Sequence, residues 1–471
     1  MLKKAFMLIS GNAFGSAFLL ARNLIVARLI SPEDYGIAST FAISMSIVEM
    51  FSNFGLNQMI VVDKDGDDPE VQKALQGFQM LRGIASSLLL FLIAGQFAAF
   101  LGIPDLAWAY QVIAFIPLIN ALQHFDMHRL KRHLRFAPSI QAAALPPLVS
   151  VLALWPLALI YDDYRIMLVA LFVQAIALVI LSHVAAERPY RLKIDFALIR
   201  RATVFGWPLL LNGALLFCVF NGERLIVGRE LGMLQLGLFS MAFTLTLTPT
   251  LVLANSSQSF FLPQLSAVRE SREKFQFLSV VALESSLLIG VLLVLCVALF
   301  GAPVIALLVG PKYFGVLSFL VPMAVLQAVR GAKTGSAIVA LSVGRSGNSV
   351  VANLFRVLSL PVSWLVAIRT GDVLAIIWIA CAAEVLGYLT AVGLAAMRTG
   401  ISIRQIVVPS LLSALACLVA VADAHYYEPQ PDFASDLHWA KWLVILTCLA
   451  AIASMRGLQR YVAGQFKDSG N

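Results

Sequence analysis

Charge is what this sequence has least of. Asp, Glu, Lys and Arg make up 13% of its 471 residues and hydrophobic residues 60%, where a soluble domain carries about a quarter charged residues. With a mean hydropathy of +0.87, a water-soluble globular fold is excluded. Cysteine is sparse too: Cys218, Cys296, Cys381, Cys417 and Cys448 stand singly in apolar runs. Without CxxC or paired spacing they carry no disulfide or thiolate-metal signature and read as small core residues. The six histidines show no metal spacing, and His124, His128 and His133 lie in or beside a basic loop, where they read as solvated surface. Long polar segments are missing as well. No loop exceeds about 20 residues, which leaves no room for a soluble catalytic domain. Nothing implies a metal or an organic cofactor.

What fills the chain instead is apolar runs of about 18 to 28 residues, each long enough to cross a hydrocarbon core of roughly 30 Å. Fourteen are expected: 6–30, 36–62, 75–101, 107–125, 138–160, 164–186, 203–228, 234–262, 275–300, 313–340, 347–368, 373–397, 405–423 and 438–455. Continuous runs favour helices, because the strands of a barrel would alternate. The start, MLKKAFMLISGNAFG, resembles a signal peptide, but its run is too long, contains Arg22 and lacks a small-residue cleavage site. It is read as an uncleaved first span. Ser31, Pro32, Glu33 and Asp34 supply an N-cap, a proline at N1 and first-turn acids, and so start span 2. Gly11 and Gly15 form a small-xxx-small pair suited to intramolecular packing. Pro117, Pro146, Pro147, Pro249, Pro322 and Pro361 fall inside spans and should bend them.

Lys and Arg collect in one set of alternate loops, including Lys3 and Lys4, Arg129 to Arg135, Arg188 to Arg201, Arg269 to Lys274, and Arg456 to Lys467. Positively charged short loops stay cytoplasmic, so both termini are expected there, which requires an even number of spans. The net charge of +8 and pI near 9.3 follow from this bias, and nucleic acid is not implied as a partner.

The chain also repeats itself. ARNLIVARLISPEDYGIASTFAIS at 21–44 overlays GERLIVGRELGMLQLGLFSMAFTL at 222–245, matching Leu24/Leu225, Ile25/Ile226, Val26/Val227, Arg28/Arg229, Gly36/Gly237 and Ser39/Ser240. Span 7 thus repeats span 1, and each half holds six spans. Since six is even, the halves are parallel, related by a pseudo-two-fold along the membrane normal. The expected organisation is an N-terminal lobe over 1–187, a basic linker over 188–202, a C-terminal lobe over 203–397 and two further helices with a tail over 398–471. The fold class is all-α, with duplicated architecture typical of transporters.

Ionisable residues lie well inside the spans: Arg22, Arg82, Arg224, Arg330, Lys333 and Arg356 against Glu49, Glu223, Glu284 and Glu384. Facing lipid, six cations would oppose insertion by about 15 to 20 kcal/mol, so they must face protein or water. Mutual ion pairing is the plain alternative, but six cations exceed four acids by two, which suggests an anionic substrate. Gln327, Arg330 and Lys333 share a stripe at i, i+3 and i+6, and Asn353 and Arg356 are one turn apart. Ser46, Glu49, Asn53 and Asn57 line one face of span 2. Arg22 and Glu223 occupy equivalent repeat positions. An arginine fork binds diphosphate oxygens bidentately, and an enclosed glutamate can exchange protons. The four acids are therefore the ion-coupling candidates, and Asn53, Asn57, Gln327 and Asn353 the polar lining.

The segment ARNLIVARLISPEDYGIAS, with its AR-x-x-IVAR core and L-x-SPEDYG sequel, resembles the first hairpin of Wzx-type polysaccharide-unit flippases, in the polysaccharide transporter branch of the multidrug/oligosaccharidyl-lipid/polysaccharide superfamily. Its AR-x-x-IVAR part is also similar to the lipid II flippases. The resemblance implies alternating-access movement of an undecaprenyl-diphosphate-linked oligosaccharide across a bacterial inner membrane, for exopolysaccharide, capsule or O-antigen. It implies membrane lipids, a polysaccharide polymerase and chain-length machinery as partners and suggests a lipid-tail groove at spans 13 and 14. Arg22 and Arg28 match the motif arginines, and the resemblance places Arg22 in a cationic cavity; the substrate-binding candidates are Arg22, Arg28, Arg82, Arg224, Arg330, Lys333 and Arg356. Three alternatives stand beside it. A multidrug antiporter would share the lobes, although cationic drugs favour acidic cavities. A small-solute transporter is a second. A membrane-embedded polymerase or glycosyltransferase would carry a larger outer loop than 424–437.

Overall fold

A computed structural model describes residues 2–52, 54–345, 347–427 and 438–468. Among these the regular secondary structure is all helical. In the first half the helices are α1 (Leu2–Leu29), α2 (Pro32–Ser52), α3 (Leu56–Val62), α4 (Pro69–Phe100), α5 (Ala107–Ile113), α6 (Phe115–Ala121), α7 (Asp126–Arg132), α8 (Ala137–Ala158), α9 (Arg165–Val184) and α10 (Phe196–Glu230). The second half continues with α11 (Gly232–Ala267), α12 (Arg272–Leu308), α13 (Leu317–Ser342), α14 (Gly347–Thr370), α15 (Val373–Thr399), α16 (Arg404–Tyr426), α17 (Trp439–Ser454) and α18 (Arg456–Asp468). Each of the fourteen expected spans overlaps one or more of these helices.

Two of the spans are broken, for local reasons. The second stops at Ser52 and resumes at Leu56 after Gly55, whose φ of +63° a side-chain-bearing residue rarely adopts. Asn57 therefore sits on α3 rather than continuing the stripe of Glu49, and Asn53 lies outside the described residues. The fourth divides at Ala114. Pro117 lacks the N–H that would bond the Ile113 carbonyl, and its ring crowds that carbonyl. Among the described residues ten helices are long and apolar enough to cross a membrane, or up to twelve with two bent pairs. In one bent pair the chain turns 64° between α17 and α18. Ser31 starts α2 as its residue type dictates, accepting the N–H of Asp34 on Oγ at 3.0 Å.

The chain divides into two compact units, Met1–Gly237 and Leu238–Asn471. In the first, α1 packs on α8 and α8 on α9. Gly11 and Gly15 permit the close approach of α1: a Cβ on Gly15 would strike the Ala143 carbonyl, and one on Gly11 the Ile140 side chain. Leu56, Met59, Ile60, Leu75, Phe125 and Ala202 form a dry cluster joining α3, α4 and α10. The basic segment after α9 is tied down rather than loose. The carboxylate of Asp126 accepts the N–H groups of Glu187 and Arg188 at 2.7 and 3.3 Å, Lys193 pairs with Glu70 at 3.0 Å, and residues 196–202 already belong to α10.

His124 departs from its expected place in solvent. It is buried, its Nδ1 accepts the N–H of Asp126 at 3.0 Å, and its ring meets those of His183 and Tyr190. A loop that folds back between helices buries residues that composition alone assigns to water.

In the second unit α13 is central, flanked by α12 and α15, with α14 on α15 and the hairpin α16/α17 on α12. Large apolar side chains such as Leu358, Leu411 and Leu418 remain outward, as a lipid-facing surface requires.

Candidate functional site

Each unit encloses charge, and the two do so differently. In the first, Arg22 lies two turns beyond Gly15 on the face of α1 that meets α8, and is 7% exposed. Its Nη1 donates to Oε1 of Gln174 on α9. Among the described residues it has no carboxylate partner, and its Nε has no hydrogen-bond acceptor. Tyr35, from the SPEDYG segment, is buried and lies within electrostatic reach of both Arg22 and Arg224. Arg224 donates from Nη1 to Asn221 Oδ1 at 3.1 Å, beside the buried Glu223. Glu49 on α2 and Arg82 on α4 are a second pair within electrostatic reach of each other.

The motif arginines separate in role. Arg28 ends α1 on an exposed position. Its repeat mate Arg229 donates to the carbonyls of Phe100 and Ala99 at 2.8 and 3.4 Å, so it closes the C-terminus of α4. A cation there complements the helix dipole.

In the second unit α13, α14 and α15 converge on one carboxylate. Glu384 is fully buried and accepts from Arg330 Nε at 3.0 Å and Lys333 Nζ at 2.7 Å, and it forms an ion pair with Arg356, whose Nε lies 3.3 Å from the carboxylate. Arg330 also donates to Gln327 Oε1 at 3.0 Å and Lys333 to Asn353 Oδ1 at 2.8 Å. Six residues expected to line a site thus meet in one cluster. Three cations from two helices share this one carboxylate. Beside it, an apolar crevice of about 560 Å³ opens among α12, α13, α15 and α16, with Ala328, Cys381, Tyr388 and Leu411 in its walls.

Glu284 has another occupation. Its Oε2 accepts the N–H of Leu458 at 2.6 Å, which caps α18. At about 1.5 Å per residue, Glu284 lies about 9 Å from the midpoint of the 37-residue α12.

Sequence reasoning passed over Gln174, Tyr35 and Asn221. A signal for the first was present: Gln174 is the single polar residue between Arg165 and Ser182. Among the described residues no group of three or more His, Cys, Asp or Glu could hold a metal ion.

This architecture is that of polytopic α-helical transporters. The chain aligns with the lipid II flippase MurJ in an inward closed conformation at a TM-score of 0.70 and 11% identity, covering 98% of this chain and 99% of that one. It aligns with an inward-facing multidrug resistance MATE family transporter of the MOP superfamily at 0.65 and 14% identity, over 84% and 98% of the two chains. In sequence it is 23% identical over 269 residues to the succinoglycan biosynthesis transport protein ExoT of Rhizobium meliloti (strain 1021), over 56% of this chain and 53% of that protein. The match spans about half the length of that curated relative. Residues 25–318 match the model of the polysaccharide biosynthesis protein family, and the chain belongs to that family.

Proposed function

We propose that this protein flips undecaprenyl-diphosphate-linked oligosaccharide repeat units from the cytoplasmic to the periplasmic leaflet of the inner membrane by alternating access. The observation that carries the reading is Arg22. An enclosed guanidinium held by a neutral amide, with no carboxylate partner among the described residues, is a standing site for an anion. The gathering of three cations around Glu384 supports the same preference. Arg22 and Arg224 then bind the diphosphate, with Arg28 at the mouth of the path. Arg330, Lys333 and Arg356 supply the second positive field, with Gln327 and Asn353 orienting it. Glu49 beside Arg82 is the ion-coupling group, and Glu384 serves as counter-ion. The apolar crevice against α16 is a place for lipid tail. Both termini are cytoplasmic in this reading, and the six-helix lobes over 1–187 and 203–397 are its moving parts.

A multidrug antiporter is the second reading, favoured by the MATE likeness and opposed by the cationic character of both clusters. The test is deletion of the gene with complementation by wild type or Arg22→Ala, reading lipid-linked oligosaccharides in inside-out and right-side-out membranes. Accumulation on the cytoplasmic leaflet, relieved by wild type alone, is expected. Normal flipping in the deletion strain would overturn the proposal.

A further inference from the structure

We infer that Gln174 is a positioning residue whose neutrality keeps the charge of Arg22 available to an anionic substrate. The inference rests on the anion-site reading of Arg22 and adds a residue on a different helix to it.

The position of Gln174 is set by packing that does not involve its own side chain. On α8, Ser150 is fully buried and donates from Oγ to the Ala170 carbonyl of α9 at 2.9 Å, one turn before Gln174. Gly15 lets α1 sink against the backbone of α8 at Ala143. Arg22, two turns on, is thereby brought to α9, where Oε1 of Gln174 receives its Nη1.

An amide oxygen satisfies one guanidinium N–H and fixes the plane of the fork. It cancels none of its charge. A glutamate at the same place would make a charge-assisted, bidentate pair and neutralise the arginine. The second unit shows that alternative: there a carboxylate, Glu384, gathers the cations and removes one charge of three. The chain thus holds Arg22 by geometry while leaving its field and its unpartnered Nε for a ligand.

The discriminating experiment measures equilibrium binding of undecaprenyl diphosphate to the full chain in lipid nanodiscs, with thermal midpoints recorded alongside. Wild type, Gln174→Leu, Gln174→Glu and Arg22→Ala are compared, and Gln174→Asp is a second carboxylate variant should Gln174→Glu not fold. The carboxylate variant should bind roughly tenfold or more weakly, as Arg22→Ala does, with its thermal midpoint unchanged or raised. Gln174→Leu should lose about threefold or less, because it keeps the charge. If Leu and the carboxylate weaken binding equally, Gln174 is a packing residue and the inference falls. If the carboxylate variant binds like wild type while Arg22→Ala does not, the inference falls and the anion site stands. If Arg22→Ala itself binds like wild type, the anion-site reading falls, and the inference with it.

Discussion

Gly36 and Gly237, 201 residues apart and aligned by the internal repeat, face reciprocal backbone contacts. A Cβ on Gly36 would overlap the carbonyl of Met233, and a Cβ on Gly237 the carbonyl of Pro32. Pro32 and Met233 are themselves 201 apart, so the two contacts are equivalent under the repeat. Within the first unit the start of α11 therefore crosses the start of α2 with backbone against backbone. Gly36→Ala or Gly237→Ala must push the helices apart, and each should cost about 1 to 3 kcal/mol, as overpacking does. Thermal unfolding in detergent would read this, with Gly393→Ala, which meets nothing within 4 Å, as the silent control.

Glu384→Gln should be among the most damaging single changes in the second unit. It leaves Arg330, Lys333 and Arg356 enclosed together without their shared anion, and removing one partner of a buried pair costs about 3 to 5 kcal/mol. Combining it with Lys333→Met should recover part of that loss. Unfolding midpoints of the single and double variants measure the coupling.

Glu284→Ala should act locally instead. Loss of a helix cap costs about 0.5 to 2 kcal/mol, and the bond to Leu458 is at the start of α18. Hydrogen exchange should quicken at residues 457–460 while α12 keeps its protection. Global unfolding on this substitution would contradict a capping role.

The segment joining α9 to α10 should loosen in acid. Glu187 accepts from Arg135, and from Arg129 Nη2 at 3.1 Å. The Arg135 contact foremost holds its carboxyl below the ordinary value of 4.5. A lowered value in the folded chain means that these contacts stabilise it above about pH 4.5 and lose that contribution as pH falls through the lower value. Protection factors at residues 187–193, corrected for the intrinsic slowing of amide exchange in acid, should therefore fall with acidification below that point. Arg135→Ala should raise exchange at neutral pH and flatten the acid dependence.

Much of the fold was legible in the sequence, and the candidate site only in part. The stripe of Gln327, Arg330 and Lys333 could be placed on one face because helical spacing is local, and Asn353 and Arg356 likewise. That both stripes meet Glu384 could not be read, since the contacts join residues 20 to 54 positions apart. Glu284 and Glu384 look alike in sequence, each an acid in an apolar helix. One caps a terminal helix and the other gathers three cations. The stripe running from Glu49 to Asn57 fails at Gly55, where a positive φ interrupts a period that composition would have continued.

What the sequence by itself determined is what sums along a short window: spans of about 20 apolar residues, the alternate loading of loops with Lys and Arg, and the duplication at an offset of 201. Each is a property of neighbours in the chain, and water and lipid act on it without reference to the rest. Only the tertiary structure decided which buried charges meet, that Arg22 rests on a neutral Gln174 while Glu384 neutralises part of its own cluster, and that His124 is dry. Those outcomes depend on how each helix is rotated about its axis and which small residues let helices close upon one another. An ion pair requires N and O to come within about 4 Å of each other, so the same charges could have made a different site.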